Sequence, residues 1–392
     1  MNRIERKSSS GNIHIPSSSS SRTLNRKAST LSNIEKRGRK KDVIEKFIES
    51  DQTVILSSLS QLRHNILCEG LPTSGPDQLC PYRVYIWSIL LRALPINTDD
   101  YVELLKVGES KSLGKISNDA FRTFKRDRKF QTKVSESTLI RLLNCYSLTV
   151  ELRNEQIEKY ENGVADDTDY FDEDLDTREM IPPSLSASSA KTTSIDYDLI
   201  HKQKLKLSPY VQGMNILAAP ILYISKSEPE AFSLFSKLLK TYIPLYVLPT
   251  LNGALDGVKL VDLCLQIIDP KLFNHLKAHM LTAKIYALPS VLTLSACTPQ
   301  LSQVLELWDF LFAFGCHNNI FFVIAQIILI RDQILNSENP MTLLREFPSL
   351  DSKKIIKLSL SFTKLIPDDL YDLIVRHPFD SSVSKKIDNY KI

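Results

Sequence analysis

The chain has 392 residues, 43% of them hydrophobic, and a formal net charge of +4. This is enough apolar material for a sizeable core, so a largely disordered chain is excluded, and length alone would allow two or three domains. Six cysteines, at positions 68, 80, 145, 264, 297 and 316, form no C-x-x-C pair and follow no secretory leader, a pattern of reduced thiols and not of a disulfide scaffold.

Residues 1–50 are rich in Ser, Arg and Lys and lack apolar periodicity, so they are expected to be a disordered basic tail, with Ser29 in RKAST a candidate phosphorylation site. From residue 51 the signal is helical. Leu56, Leu59, Leu62 and Ile66 recur at steps of three and four, and Gly70 with Pro72 supplies the stop. A second helix is expected over Pro81–Leu94, with Trp87, Leu90, Leu91 and Leu94 on its inner side, and a third over Ser137–Glu151. An acidic stretch at about 153–197 reads as a disordered insert, and its Asp172, Glu173 and Asp174 as a solvated run.

The helical signal returns with SPYVQGMNILAAPILYI, Ser208 to Ile224, where a polar knot opens an apolar helix. Ser227 and Glu230 form a capping box before the next helix. Thr298 and Pro299 are expected to open a helix that Gly315 closes, and further helices are expected at Ser352–Lys364 and Asp368–Arg376. The run IFFVIAQIILI, from Ile320, is too short for a membrane span of roughly 20 residues and reads as a buried core helix. No stretch alternates as strands do. The expected class is therefore all-α: one multi-helix domain over 51–380, with a short C-terminal tail at 381–392.

P-loop, nucleophile-elbow and H-E-x-x-H motifs are missing, and His275 and His279 read as surface or packing side chains. Two short motifs stand out. In ISNDAFRTF, Ile116, Asp119 and Arg122 are three apart on one helical face, where Asp119 can fix the direction of the Arg122 guanidinium. The other is YVQGMN, Tyr210 to Asn215.

In chain order, R-x-x-x-W-x-x-L-L (Arg83, Trp87, Leu90, Leu91), I-x-x-D-x-x-R, Y-x-Q-G-M-N and LELWDFLFAFG (Leu305 to Gly315) resemble the TBC domain, the GTPase-activating domain for Rab-like small GTPases. The likeness covers roughly Leu56 to Arg376. It implies that the chain is not itself an enzyme but supplies catalytic residues in trans: Arg122 as an arginine finger and Gln212 as a glutamine finger. Asp119 would support Arg122, while Ile116, Tyr210, Gly213, Asn215, Arg83 and Trp87 would build the site, with Gly213 letting the backbone approach a partner. Asp309 reads as an internal cap or pair.

The stretches Leu251 to Leu272 and Ala287 to Gly315 extend the likeness to the mitotic checkpoint branch, in which Ser290 and Val291 replace the aromatic pair of many TBC domains. That branch implies a two-component activator. Its partners would be a scaffold subunit and a Rab- or Ras-like GTPase of mitotic exit or septation, its place the cytoplasm and the spindle pole body. The resemblance implies no cofactor of the chain's own, since GTP and Mg would belong to the GTPase. Neither nucleic acid nor a transmembrane segment is expected. The competing expectation is a catalytically inactive TBC scaffold that binds the GTPase and a partner without accelerating hydrolysis.

Overall fold

The computed structural model describes residues 55–73, 79–94, 96–161 and 205–392. Among the described residues the elements are helices and no strand occurs, so the fold is all-α. The tail 1–50 with Ser29, and the acidic run with Asp172, Glu173 and Asp174, lie outside the described residues.

Local chemistry sets most helix ends. Helix α1 spans Ile55–Glu69 and stops at Gly70. Helix α2 covers Arg83–Leu91, less than the expected Pro81–Leu94, because Arg92 turns left-handed (φ 50°) and its N–H closes back on Ile89. Leu94 is therefore exposed and not on an inner face. Next come α3 (Thr98–Val107), capped by the Asn97 side chain, α4 (Leu113–Arg122) and α5 (Arg128–Lys133), capped by Asp127. Helix α6 runs Glu136–Glu161, beyond the expected end at Glu151 and into residues expected to belong to the insert. Its extra turns follow from Ile157, which is buried seven positions after buried Val150 and so prolongs the same apolar stripe.

Helix α7 (Met214–Ile224) leads to α8 (Glu228–Lys237), whose Ser227 cap accepts the Glu230 N–H. The Glu230 carboxylate accepts from Lys226, one residue earlier than in the expected capping box. Four helices follow: α9 (Asn252–Ile268), α10 (Pro270–Ala278), α11 (Ala283–Tyr286) and α12 (Leu288–Leu292). Helix α13 spans Leu301–Phe314 and starts after Pro299, whose carbonyl is taken by the Leu350 N–H instead of a helical partner. Helix α14 (Asn319–Leu329) is a buried core helix, and among the described residues no helix is long and apolar enough to cross a membrane. Ser352–Phe362 and Asp368–Arg376 form helices, the first of them two residues shorter than expected. The stretch expected as a C-terminal tail is packed instead: Ser384–Asp388 is helical, with Val383 and Ile387 buried and Ser384 bonded to Asp256 of α9.

Beneath the site lies α7. All but two of its residues are buried, and it lies against α2, α4, α6, α8 and α13. Helix α2 is fastened to α13 by a buried polar cluster. Arg83 donates through Nε to Asp309 Oδ1 at 3.0 Å and through Nη2 to Oδ2 at 3.0 Å, and Trp87 Nε1 donates to Oδ1 at 2.7 Å. Burial opposes both charges. Every contact to Asp309 is a donor, so the geometry holds the ionised carboxylate, and its attraction keeps Arg83 above its ordinary value despite burial. Around the pair, Trp87 meets Phe312 edge-on at 4.8 Å and Trp308 at 5.7 Å.

Two predictions follow from these contacts. Removing one partner of a buried ion pair strands the other, so Arg83→Met should cost about 3–5 kcal/mol in urea unfolding. Replacing both Arg83 and Asp309 by apolar residues should cost less than the sum of the single changes. The second concerns Asp262 on α9, whose carboxylate receives the Ala283 N–H of α11 at 3.0 Å. Burial pushes this carboxyl up to about 6, against the pull of that N–H. A folded value above the ordinary 3.8 means that its stabilising contribution is complete below about pH 4 and lost as pH rises through 6. Asp262→Asn keeps the acceptor, so its stability relative to wild type should rise by about 1–3 kcal/mol between pH 4 and pH 7.

Candidate functional site

The two motifs meet where the C-terminus of α4 faces the loop entering α7. Asp119 is buried on the last turn of α4, above Ile116, which is fully buried where α4 packs on α6. One Asp119 oxygen, Oδ1, accepts from Arg122 Nη2. The other, Oδ2, accepts from the Tyr210 hydroxyl at 2.7 Å. Burial first, and then this bond to a carboxylate, push the Tyr210 phenol well above its usual range, so it stays a neutral donor.

A second layer of bonds runs through the backbone. Thr123 Oγ1 donates to the Asp119 carbonyl at 2.8 Å, and Asn215 Nδ2 donates to Thr123 Oγ1 at 2.8 Å. Asn215 Oδ1 in turn accepts the Gly213 N–H at 3.2 Å. Asn215 thus grips both its own loop and the end of α4. The Tyr210 loop is also held from behind, by Asn154 and Arg153 of α6, which donate to the Leu207 and Leu205 carbonyls at 2.8 and 3.0 Å.

Two side chains project from this network. Arg122 is 61% exposed although tethered to Asp119, and Gln212 is exposed with no hydrogen bond to the described residues. Gly213 is buried at φ +106°, a left-handed setting that disfavours a side chain, and a Cβ there would meet Leu292 Cδ2 of α12 at 3.3 Å. Within the chain, its close approach is to α12.

Arg83 and Trp87 touch none of these residues by a hydrogen bond, and serve the site at one remove by holding α2 to α13 beside α7. Trp308 is likewise buried, its Nε1 bonded to the Leu294 carbonyl at 3.0 Å. Thr123, which is 1% exposed, also joins the two motifs, a role the sequence pattern does not assign it. Its signal was local: a Thr four residues after Asp119 in a helix can bond back to that carbonyl. The His275 and His279 rings lie 4.5 Å apart between centroids, tilted by 46°, with the His279 ring bonded to the His275 carbonyl.

An all-helical fold with these two motifs docked on each other defines a class. Residues 200–335 match the Rab-GTPase-TBC domain, and the chain belongs to the TBC-domain family. It is 40% identical over 343 residues to the mitotic check point protein BUB2 of Saccharomyces cerevisiae, covering 87% of this chain and 98% of that relative. It is also 40% identical to cell division control protein 16 of Schizosaccharomyces pombe, over 84% of this chain and 91% of that one. Among solved structures, the Ypt/Rab-GAP domain of Gyp1p shares the fold, with a TM-score of 0.55 at 18% identity, covering 87% of this chain and 98% of that chain.

The network makes its members interdependent. Tyr210→Phe should lower stability by about 1–2 kcal/mol by leaving Asp119 short of one donor. In urea unfolding, Asp119→Asn and Tyr210→Phe should depart from additivity by about 0.5–3 kcal/mol, whereas additive effects would mean that the bond carries no coupling.

Proposed function

We propose that this chain is a GTPase-activating protein for a Rab- or Ras-like small GTPase of mitotic exit or septation, and that it works by supplying an arginine and a glutamine in trans. The observation that carries this reading is the shared network on Asp119, which joins the two segments that expose Arg122 and Gln212. Hydrolysis of GTP spreads negative charge over the γ-phosphoryl oxygens and needs an attacking water in line. The Arg122 guanidinium, aimed by Asp119, would neutralise that charge. The Gln212 amide would orient the water, its carbonyl accepting one hydrogen while its NH₂ binds a neighbouring carbonyl. GTP and its Mg²⁺ belong to the partner.

Similarity to the checkpoint relatives supports the cell-cycle part of the reading. We further propose that the chain works in a two-component activator with a scaffold subunit, in the cytoplasm and at the spindle pole body.

Single-turnover hydrolysis by the candidate GTPase, with this chain and its scaffold, tests the proposal. Arg122→Ala should lose about 10³- to 10⁵-fold in acceleration, and Gln212→Ala about 10²-fold or more. Both should still bind; Gln212→Ala should melt within about 0.5 kcal/mol of wild type, as exposed positions do, whereas Arg122→Ala should cost about 1–2 kcal/mol because Asp119 loses a donor. Equal rates for all three proteins would make the chain a non-catalytic scaffold.

A further inference from the structure

The residue before the arginine finger has no role in the core. Phe121 is 60% exposed, whereas its apolar neighbours on α4, Ile116 and Ala120, are buried. The Lys125 ammonium lies 3.7 Å from the centre of its ring, so an aromatic face and a cation are presented together. Beside them, Thr123, Phe130, Val134 and Leu139 line a shallow cleft between α4, α5 and the start of α6.

The charge around this pair is mostly positive, Glu136 being the acid that lines the cleft. From Arg122 to Lys133 the chain carries six cations (Arg122, Lys125, Arg126, Arg128, Lys129 and Lys133) and one acid, Asp127, a net of 6 − 1 = +5 within twelve residues, against +4 for the whole chain. Asp127 is turned inward, its carboxylate receiving the Phe130 N–H at 3.0 Å as the cap of α5. The six cations are all exposed.

We propose that Phe121 and Lys125, with the basic residues that follow, are the docking surface that grips the GTPase, and that they select a partner whose face beside the nucleotide is acidic around an apolar notch. This rests on the trans-acting role proposed for Arg122. Position favours a protein over an anionic membrane: an arginine that reaches a γ-phosphate carries the adjacent residue, 121, and the Lys125 ammonium seated on its ring, toward the same surface. The aromatic is the kind of side chain that anchors an interface, and the cations around it set partner choice and association rate.

The test combines kinetics with a photo-crosslinker at position 121 in the full chain with its scaffold. The probes are a panel of Rab-like small GTPases, GTP-loaded for hydrolysis and loaded with a non-hydrolysable GTP analogue for crosslinking, and phosphatidylserine vesicles. Phe121→Ser should raise the half-saturating concentration at least about tenfold while the saturating rate holds, the reverse of the split expected for Arg122→Ala. Lys125→Glu should slow association, with an effect that fades as salt rises, and Leu365→Ser, an exposed apolar change elsewhere, should alter neither. The crosslinker should capture a GTPase in its GTP-like form. Docking is overturned if Phe121→Ser matches wild type, if the crosslink forms within the chain or not at all, or if Phe121 is needed for vesicle binding instead. Should position 121 capture a GTPase that wild type never accelerates, docking stands and the catalytic reading falls. Acceleration that is indifferent to Phe121 has the opposite meaning.

Discussion

The division of the Asp119 carboxylate between two donors is the constraint on which the site depends. Arg122 holds one oxygen and Tyr210 the other, so a single buried group joins the end of α4 to the loop that enters α7. A buried carboxylate without donors is costly. That cost is what makes the arrangement selective, because neither segment can move away without leaving Asp119 or Tyr210 unsatisfied. Thr123 and Asn215 repeat the connection through the backbone. An arginine tethered this way keeps its direction while most of its side chain remains in solvent.

The helices behind the site explain why the loop can be so well fixed. Helix α7 begins one residue after Gly213 and is buried against five others, so Gln212 sits at the root of the most enclosed helix of the site. The Arg83–Asp309–Trp87 cluster locks two of those neighbours together. From the other side, α12 presses Leu292 against Gly213. Helix α9 holds α12 in turn: Gly257 leaves the space that Val291 fills, and a Cβ there would lie 2.7 Å from Val291 Cγ1. Both exposed side chains therefore stand on parts of the fold with little freedom to shift.

Much of this was legible in the sequence, and the misses have physical causes. The Asp119 to Arg122 pairing follows from helical spacing, and the buried state of Trp87, Trp308 and α14 from apolar periodicity. The resemblance to TBC domains brought Tyr210 and Asn215 to the site before any contact was known. Helix ends were harder. Arg92 ends α2 through a left-handed turn that no sequence signal marks, and one apolar residue, Ile157, carries α6 beyond Glu151 into residues that read as an insert. Helix α9 was hidden by Gly253 and Gly257, which weaken the helical signal because tertiary packing requires them. Thr123 was missed because its role depends on a partner 92 positions away.

The most direct measurement is a structure of the full chain and its scaffold with the GTPase trapped by GDP and aluminium fluoride. Both fingers should lie in the nucleotide site, the Arg122 guanidinium within about 3 Å of a fluoride and the Gln212 amide at the same range from the in-line water, with Asp119 still bonded to Arg122 and Tyr210. A complex in which the GTPase's own side chains fill those positions while Arg122 and Gln212 face solvent would contradict it.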